Sequence, residues 1–320
     1  MSVTIGKWRR LQQVASPAKT FSIMAVDHRG PLRRSLEKDS AEQLPSTALS
    51  DLKADIVRAL GPVASAVLLD PETGAGQCLA AAALPGDTAL VVALDTGSTG
   101  DPMNKATSVV SGWSVEKTVR VGASAVKLLI YYHPAAADAA ETEALVKQVG
   151  DSCAKHDIPF FLEPLSHALD EARSALPSNE RREVVVETAR RLVPLGVDVL
   201  KAEFPVDPVT ELDEKVWRSA CDDLTDACAV PWVLLSGGVT FDVYLRQVQI
   251  ACDAGASGVM AGRAVWKEAV TLDVAARNHF LHGVARERMQ RLRTVCDALG
   301  RPFDQFSGPP ELADDWYAMY

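Results

Sequence analysis

The sequence predicts an α/β fold, a (β/α)8 TIM barrel with an extra N-terminal helix and a long C-terminal helix. About eight short apolar runs alternate with amphipathic stretches along the 320 residues. The runs are continuously apolar, which is typical of parallel strands buried on both faces. The length suits one barrel with extensions. No linker rich in Gly, Ser or Pro divides the chain, so residues 1–320 are predicted to form a single domain.

Each predicted strand is a short apolar run, and most are followed by a helical stretch. The predicted strands are Ser22–Asp27, Ala66–Asp70, Ala89–Leu94, Ala125–Tyr132, Pro159–Pro164, Val199–Pro205, Trp232–Gly237 and Gly258–Gly262. The helical stretches between them are Thr47–Leu60, Ser114–Val121, Ala139–His156, Asn179–Leu195, Thr210–Ala227 and Phe241–Ala254. An open doubly wound sheet is the competing fold, but it usually carries G-x-G-x-x-G after its first strand. This chain has D-H-R-G-P there.

Both ends of the chain extend beyond the predicted barrel. Gly6–Val14 is predicted to be a short helix that caps the bottom of the barrel, and Leu272–Leu299 a long helix after the last strand. The tail Pro309–Tyr320 carries Trp316, Tyr317 and Tyr320, which we expect to dock on the body or on a second subunit. Barrels with apolar surface helices often associate, so a homo-oligomer is expected.

The composition favours a cytoplasmic enzyme that acts on a small molecule. The chain is 48% hydrophobic and 23% charged, with a net charge of −9. An acidic chain is a poor partner for nucleic acid or for an anionic membrane, where basic patches supply affinity. We find no secretory h-region and no apolar run long enough to span a membrane. The six cysteines are scattered and are predicted to be reduced.

Polar residues that interrupt or end the strands are the candidates for chemistry, because TIM-barrel sites lie at the C-terminal ends of the strands. Lys201 lies within the apolar run Val197–Pro205, and Lys127 has the same context on the fourth strand. Burial lowers the pKa of a lysine, and two inward ammonium groups would lower each other's pKa further. The neutral amine is a nucleophile that forms Schiff bases. Either lysine could instead point outward or pair with Glu163 or Glu203. Asp70 and Asp95 also end strands.

Glu163 and the end of the first strand supply candidate acid, base and contact groups. Glu163 ends the fifth strand and could shuttle protons near a Schiff base, or form a structural ion pair with a lysine. Asp27 could form an ion pair or hold a substrate hydroxyl. His28 could be an acid, a base, an anion contact or a structural residue. With Arg29, His28 is placed among the substrate contacts.

Glycine-rich turns after the last two strands predict an anion site. Ser236, Gly237 and Gly238 follow the seventh strand, and Gly262 and Arg263 follow the eighth. Phosphate commonly binds a TIM barrel at these two loops. Glycines let backbone N–H groups approach an anion, and arginine adds a fork of donors. A tight turn alone would also explain S-G-G.

No metal or cofactor is predicted. The histidines are dispersed, and the close pair His279 and His282 lies on the C-terminal helix, whereas a catalytic zinc site needs clustered histidine ligands. No Walker loop, dinucleotide fingerprint or nucleophile elbow is present.

Four segments together resemble the class I tagatose-bisphosphate aldolases and the related sulfofructose-phosphate aldolases. They are Ala25–Arg33, Trp113–Tyr132, Val197–Pro205 and Ala254–Val270. The resemblance implies a metal-free TIM barrel with Lys201 as the Schiff-base lysine, Lys127 as the second lysine, Glu163 as the acid/base and Asp27 on the first strand. It also implies that Ser236–Gly238 and Gly262-Arg263 bind an anion. One departure concerns specificity, because the family pattern D-Q-R-G has His28 in place of glutamine here.

We therefore expect a class I aldolase that cleaves a ketose phosphate into dihydroxyacetone phosphate and an aldehyde. Sulfofructose 1-phosphate and tagatose or fructose 1,6-bisphosphate are the candidate substrates, and a deoxy-sugar phosphate remains open. Two other functions also remain open: a non-covalent sugar-phosphate isomerase or epimerase, and a non-catalytic sugar-phosphate sensor.

Overall fold

The structure, a computed structural model, describes residues 3–38, 45–97, 107–170, 173 and 176–320. Eight parallel strands close into a barrel in the order β1 to β8, each strand pairing with its neighbours in sequence and β8 returning to β1. The predicted (β/α)8 barrel is therefore confirmed. The strands are β1 (Phe21–Ala25), β2 (Ala66–Leu69), β3 (Ala89–Ala93), β4 (Ala125–Tyr132), β5 (Phe160–Ser166), β6 (Val199–Ala202), β7 (Trp232–Leu235) and β8 (Gly258–Ala261).

Helices follow the strands and cover the barrel. They are α1 (Ile5–Val14), α2 (Gly30–Lys38), α3 (Ala48–Leu60), α4 (Ala75–Ala80), α5 (Val115–Arg120), α6 (Ala139–Lys155), α7 (Ser178–Leu192), α8 (Glu214–Ala227), α9 (Phe241–Asp253), α10 (Arg263–Trp266), α11 (Val274–Phe280), α12 (Arg286–Leu299) and α13 (Trp316–Met319). None of the described helices is both long and apolar enough to cross a membrane.

Several predicted strands extend too far at their C-terminal ends. The ladder ends before the polar residues that close these segments, and Asp27, Asp70 and Glu203 all lie just beyond a strand. Their side chains bond to groups outside the strand ladder: Asp27 to Lys127, Asp70 to Lys53 and Glu203 to Arg181. β5 differs in the other direction, because its pairing with β4 continues to Ser166.

The helix predictions need three corrections. α2, α4, α10 and α13 have no counterpart among the predicted helices. α8 begins at Glu214 rather than Thr210, because the Asp213 side chain accepts a hydrogen bond from the Lys215 N–H and caps the helix there. The predicted C-terminal helix is α11 and α12 joined by a π-helical turn at Leu281–Ala285.

The barrel interior is packed at its bottom and charged at its top. Alternate strand residues point inward, and the lower ones form one apolar cluster that includes Phe21 and Phe161. Leu11 and Val14 of α1 join this cluster, as does Phe303, so α1 closes the bottom of the barrel as predicted.

The C-terminal tail reaches the body but leaves its aromatic side chains largely exposed. The Tyr320 hydroxyl donates to Asp157, in the turn before β5. Tyr317 is 73% exposed. The structure thus supports docking of the tail on the body through this contact.

Candidate active site

A cavity of about 260 Å³ opens at the C-terminal mouth of the barrel. Its lining includes nine of the residues predicted for the site, namely Asp27, His28, Arg29, Glu163, Lys201, Ser236, Gly237, Gly262 and Arg263. Lys127 is fully buried beneath this lining. Gly238 is outside the lining and lies beside the Arg263 guanidinium. The structure therefore brings the predicted residues together at one mouth.

The strand period explains why the charged side chains point inward. Lys127 follows the inward Ala125 by two positions, Glu163 follows Phe161, and Lys201 follows Val199. Successive strand residues face opposite sides, so residues two apart share a face. The apolar lower residue fixes the register of each strand, and the charged residue then reaches the mouth.

Glu163 bridges the two lysines. Its Oε1 lies 2.8 Å from Lys201 Nζ, and its Oε2 lies 2.7 Å from Lys127 Nζ. All three side chains are nearly inaccessible to solvent. In such a site these charge-assisted contacts are stronger than they would be in water. The carboxylate can therefore orient Lys201 and exchange a proton with it.

Lys127 is held by three carboxylates. Its Nζ donates to Asp27 Oδ2 at 2.8 Å and lies 3.2 Å from Asp95 Oδ2, in addition to the Glu163 contact. Burial alone would lower the pKa of Lys127, but Asp27, Asp95 and Glu163 outweigh it, and the pKa is raised. The prediction that two inward lysines leave Lys127 with a lowered pKa is therefore wrong. The surrounding acids, which spacing in the sequence does not reveal, decide the direction.

Asp27 and Glu163 are held ionised. Burial acts to raise the pKa of Asp27, but the ammonium groups of Lys127 and Lys201 outweigh it and hold the pKa well below its ordinary value. The same balance lowers the pKa of Glu163. Both carboxylates are therefore available as acceptors at neutral pH.

Asp95 is the site residue to which sequence reasoning gave no role, although it was noted at a strand end. Its Oδ2 accepts from the Leu129 N–H at 2.8 Å, and its Oδ1 accepts from the Gly97 N–H at 2.9 Å. Arg29 donates from Nη2 to Asp95 Oδ1 at 3.3 Å, and from Nη1 to Glu72 Oε2 at 2.7 Å. Asp95 thus joins Lys127 to Arg29.

The other acids at strand ends belong to separate networks. Glu203 lines the cavity, accepts from Arg181 Nη2 at 3.0 Å, and accepts from the N–H and hydroxyl of Ser166 at 2.6 Å. Asp70 forms a fully buried ion pair with Lys53 outside the lining of the cavity. Glu203 is therefore a partner of Arg181, and neither buried lysine of the centre pairs with it.

His28 lies at the edge of the cavity between Asp27 and the β8 end. Its ring packs edge-on against Trp266 at 5.3 Å, and its Nδ1 lies 4.0 Å from Asp27 Oδ1. Nδ1 is buried and makes no hydrogen bond within the described residues. Burial lowers the pKa of His28 to about 4, with Asp27 opposing this and Arg263 reinforcing it. The imidazole is therefore neutral at pH 7.

The loops after β7 and β8 form the adjoining edge of the cavity, where Gly262 lies beside the His28 ring. Gly237 and Gly238 have φ of +54° and +80°, a left-handed conformation that favours glycine. The Ser236 hydroxyl accepts from the Gly262 N–H at 3.3 Å and ties the two loops together. Arg263 is exposed, and within the described part of the chain its guanidinium makes no ion pair. This edge offers a cation and accessible backbone to an anion.

Histidine, cysteine and carboxylate side chains are not arranged as a metal cluster in the described parts of the chain. The six cysteines are free and buried. The polar side chains that converge on the cavity are amines, guanidinium groups and carboxylates, and the carboxylates form ion pairs with these cations.

Together, the fold and the cavity define a (β/α)8-barrel protein with a buried lysine–carboxylate centre. Residues 21–268 match the family described as DeoC/LacD family aldolase. This match covers well over half of the chain, so the chain belongs to the DeoC/LacD family of aldolases, which are carbon–carbon lyases.

Curated relatives agree with this assignment over nearly their whole length. The tagatose 1,6-diphosphate aldolase of Streptococcus agalactiae is 28% identical over 92% of this chain and 97% of its own. Tagatose 1,6-diphosphate aldolase 1 of Streptococcus pyogenes serotype M1 is 31% identical over 84% of this chain and 87% of its own.

A solved structure shows the same fold. An archaeal fructose-1,6-bisphosphate aldolase, with its catalytic lysine covalently bound to the carbinolamine intermediate, superimposes with a TM-score of 0.60. It is 20% identical, and the match covers 92% of this chain and all of that one.

Proposed function

We propose that this chain is a class I aldolase that cleaves a ketose phosphate into dihydroxyacetone phosphate and an aldehyde through a Schiff base on Lys201. The observation that carries the proposal is the contact of Lys201 with Glu163, within a closed charged centre at the barrel mouth. A primary amine beside a carboxylate has the two groups that carbonyl addition and proton transfer require. Family membership favours this function over the isomerase and the sensor.

The reaction begins at the ketone. Glu163 takes a proton from the Lys201 ammonium, and the neutral amine adds to the carbonyl carbon. One proton of the attacking nitrogen moves to the former carbonyl oxygen to give the carbinolamine. Glu163 then returns its proton to the carbinolamine hydroxyl, which leaves as water and gives an iminium. Because the iminium accepts an electron pair, it is the electron sink for breaking the bond between the carbons α and β to the iminium carbon.

Bond cleavage and product release use the same carboxylate. Glu163 accepts the proton of the hydroxyl on the departing carbon, the carbon–carbon bond breaks, and the aldehyde leaves. The electron pair remains on the half attached to Lys201 as an enamine. Glu163 protonates the enamine carbon, and water hydrolyses the new iminium to release dihydroxyacetone phosphate. Lys127 stabilises the charged form of Asp27, and it stabilises Glu163 in the steps in which that carboxylate is ionised.

The β7–β8 edge is proposed to hold the phosphate of the dihydroxyacetone half. Arg263 supplies charge, while Gly237 and Gly238 let backbone N–H groups come close to the anion. Ser236 keeps the two loops together. Asp27 and His28 lie nearer the reacting carbons, where we expect them to contact hydroxyl groups.

Further features of the function stay predictions. The proposed chemistry uses no metal ion, and we expect full activity after incubation with a chelator. Residues 1–320 are proposed to act as one catalytic domain. The homo-oligomer and the cytoplasmic location also remain predictions.

The test is cleavage of tagatose 1,6-bisphosphate, fructose 1,6-bisphosphate, sulfofructose 1-phosphate and ketose 1-phosphates by the chain and by Lys201→Met. The control is Lys147→Met, which changes an exposed lysine far from the cavity. We expect cleavage of at least one substrate by the chain and the control, and none by Lys201→Met. Normal cleavage by Lys201→Met would contradict the proposal.

A further inference from the structure

The β5–β6 seam, the junction between these two neighbouring strands, opens where the two reactive residues of the proposed mechanism lie. The paired residues of β5 and β6 end at Leu162 and Leu200. Glu163 and Lys201 are the next residues along the two strands. Each strand stays paired on its other side, β5 with β4 and β6 with β7, beyond this point. The ladder between β5 and β6 therefore stops just below the reactive pair.

Glu203 joins the two strand ends again above the reactive pair. It lies two positions after Lys201, and its Oε2 accepts hydrogen bonds from the N–H and the hydroxyl of Ser166, both at 2.6 Å. Ser166 is the last residue of β5, three positions after Glu163. The reactive pair thus lies between the last ladder pair on one side and the Glu203–Ser166 contact on the other.

Arg181 supports this contact from helix α7, which follows β5 and precedes β6. Its Nη2 donates to Glu203 Oε1, and its Nε donates to the carbonyl oxygen of Phe204, both at 3.0 Å. The side chains of Arg181 and Glu203 are 23% and 12% exposed. A planar guanidinium that binds two adjacent residues in this way fixes the direction of the chain directly after β6.

The Glu203 carboxylate is occupied by protein donors, although the residue lines the cavity. One oxygen accepts from Arg181 and the other from Ser166. Among the described residues, neither Lys127 nor Lys201 forms an ion pair with it. A group held in this way is suited to fixing the geometry of its neighbours, which is how supporting side chains keep reactive groups in place.

We propose that Glu203 is a positioning residue, which keeps Lys201 Nζ within reach of Glu163 by joining the ends of β5 and β6. The inference rests on the proposed function, because it takes Lys201 as the Schiff-base residue. Proton transfer between the two groups depends on their 2.8 Å contact. A displacement of about 1 Å can lower a rate by about 100-fold. Removing Glu203 is therefore expected to slow the chemistry without removing any reacting group.

Deuterium exchange into dihydroxyacetone phosphate in D2O tests this geometry without the aldehyde half of a substrate. The iminium on Lys201 loses a proton from its neighbouring carbon to Glu163 and becomes the enamine. After that carboxyl group exchanges with solvent, the enamine carbon takes up a deuteron, so one C–H bond is replaced by one C–D bond. We expect Glu203→Ala to lower the maximal exchange rate by about 10-fold to 100-fold. The half-saturating concentration should change by less than about threefold, because the anion-binding edge is intact.

Glu203→Gln separates positioning from acid–base chemistry at this residue. The glutamine oxygen can still accept from Ser166, although its NH2 group loses the contact with Arg181. We therefore expect Glu203→Gln to exchange within about threefold of the unsubstituted chain. If Glu203 itself moved the proton, the glutamine variant would fail as completely as Glu203→Ala.

Ser166→Ala tests the other side of the same contact. It removes the hydroxyl donor and leaves the backbone N–H, so we expect exchange to slow by about twofold to tenfold. In the Glu203→Ala background the same substitution should have little further effect, because the two residues act through one contact. Full additivity of the two losses would contradict this coupling.

The matched control is Glu214→Ala, which breaks an exposed ion pair with Arg246 and should exchange normally. Circular dichroism and urea unfolding establish that each variant is folded at the assay temperature. If Glu203→Ala does not fold, Glu203→Gln and Ser166→Ala decide the question. A normal exchange rate in Glu203→Ala, or equal losses in Glu203→Ala and Glu203→Gln, would overturn the positioning role.

The unsubstituted chain separates failure of this inference from failure of the aldolase proposal. Exchange, together with a borohydride adduct on Lys201, establishes the Schiff base and leaves the variants to test Glu203 alone. If the unsubstituted chain shows neither exchange nor an adduct, the proposed function fails, and the inference fails with it.

Discussion

Lys201 Nζ lies 2.8 Å from Glu163 Oε1 at the mouth of the barrel, and the other oxygen of this carboxylate is held by Lys127. The two lysines therefore have different roles, although they have the same sequence context. Lys127 is enclosed by acids and has its charge fixed by them. Lys201 lines the cavity, so it is the amine that a ketone can reach.

Glu163→Gln tests the proton shuttle. The amide oxygen can accept a hydrogen bond from one of the two lysines, its NH2 group cannot accept from the other, and the amide cannot take a proton, so we expect kcat for cleavage to fall by about 100-fold to 10,000-fold. Steady-state kinetics at saturating substrate measure this, with exposed Glu287→Gln as the control. A fall of less than about threefold would show that another group moves the proton.

Lys127→Met tests the stabilising role of the buried cation. Its loss leaves Asp27, Asp95 and Glu163 close together with fewer cations, and we expect the free energy of unfolding to drop by about 3–5 kcal/mol at pH 7. Urea denaturation measures the change, with Lys147→Met as the control.

The effect of Lys127→Met should depend on pH in a defined direction. The pKa values of Asp27 and Glu163 are lowered in the folded protein from ordinary values of 3.8 and 4.5. Their stabilisation is therefore present above about pH 4.5 and is lost as pH falls below it. We expect the deficit of the variant to shrink at acidic pH, and a constant deficit would contradict this origin.

Arg263→Ala tests the anion site. Hydrogen bonds to a charged group contribute about 1.5–3 kcal/mol each, so the concentration of dihydroxyacetone phosphate that half-saturates trapping should rise about tenfold to 100-fold. The maximum trapped fraction should be unchanged, because the nucleophile is intact. Arg190→Ala is the control, because this arginine is exposed on the outer side of helix α7. An unchanged half-saturation would place the phosphate elsewhere.

His28→Gln tests the partly buried, neutral imidazole. Because the folded pKa of about 4 lies below the ordinary 6.5, protonation favours the unfolded chain. Stability is therefore full above pH 6.5 and is lost as pH falls toward 4, by about 3 kcal/mol in total. The glutamine variant should lose this part of the pH dependence in urea unfolding, whereas exposed His282→Gln should keep it. Identical profiles for all three proteins would contradict the burial of a neutral ring.

The inward lysines could be predicted because a charged residue within an apolar strand of a barrel is a candidate for the polar mouth, where TIM-barrel sites lie. Lys127 and Lys201 each lie two positions after an inward apolar residue. Residues two apart on a strand face the same side, so both lysines point into the barrel interior. The anion site at the loops after β7 and β8 could be predicted for a different reason. The position of these loops in the barrel is fixed once the strands are counted.

The partners of these groups could not be predicted in the same way. Asp95 meets Lys127, and Glu72 meets Arg29, only because loops after neighbouring strands converge at the mouth. Sequence separation carries no information about such contacts. The direction of the Lys127 pKa depends on those acids, and the lysine–lysine repulsion visible in the sequence gave the wrong sign.

The most direct test of the central claim is reductive trapping with dihydroxyacetone phosphate, followed by intact mass measurement and peptide mapping. We predict one adduct, located on Lys201, that is absent from Lys201→Met and retained in Lys147→Met. An adduct on another lysine, or no adduct on a folded protein that cleaves a ketose phosphate, would contradict the assignment of Lys201 as the Schiff-base residue.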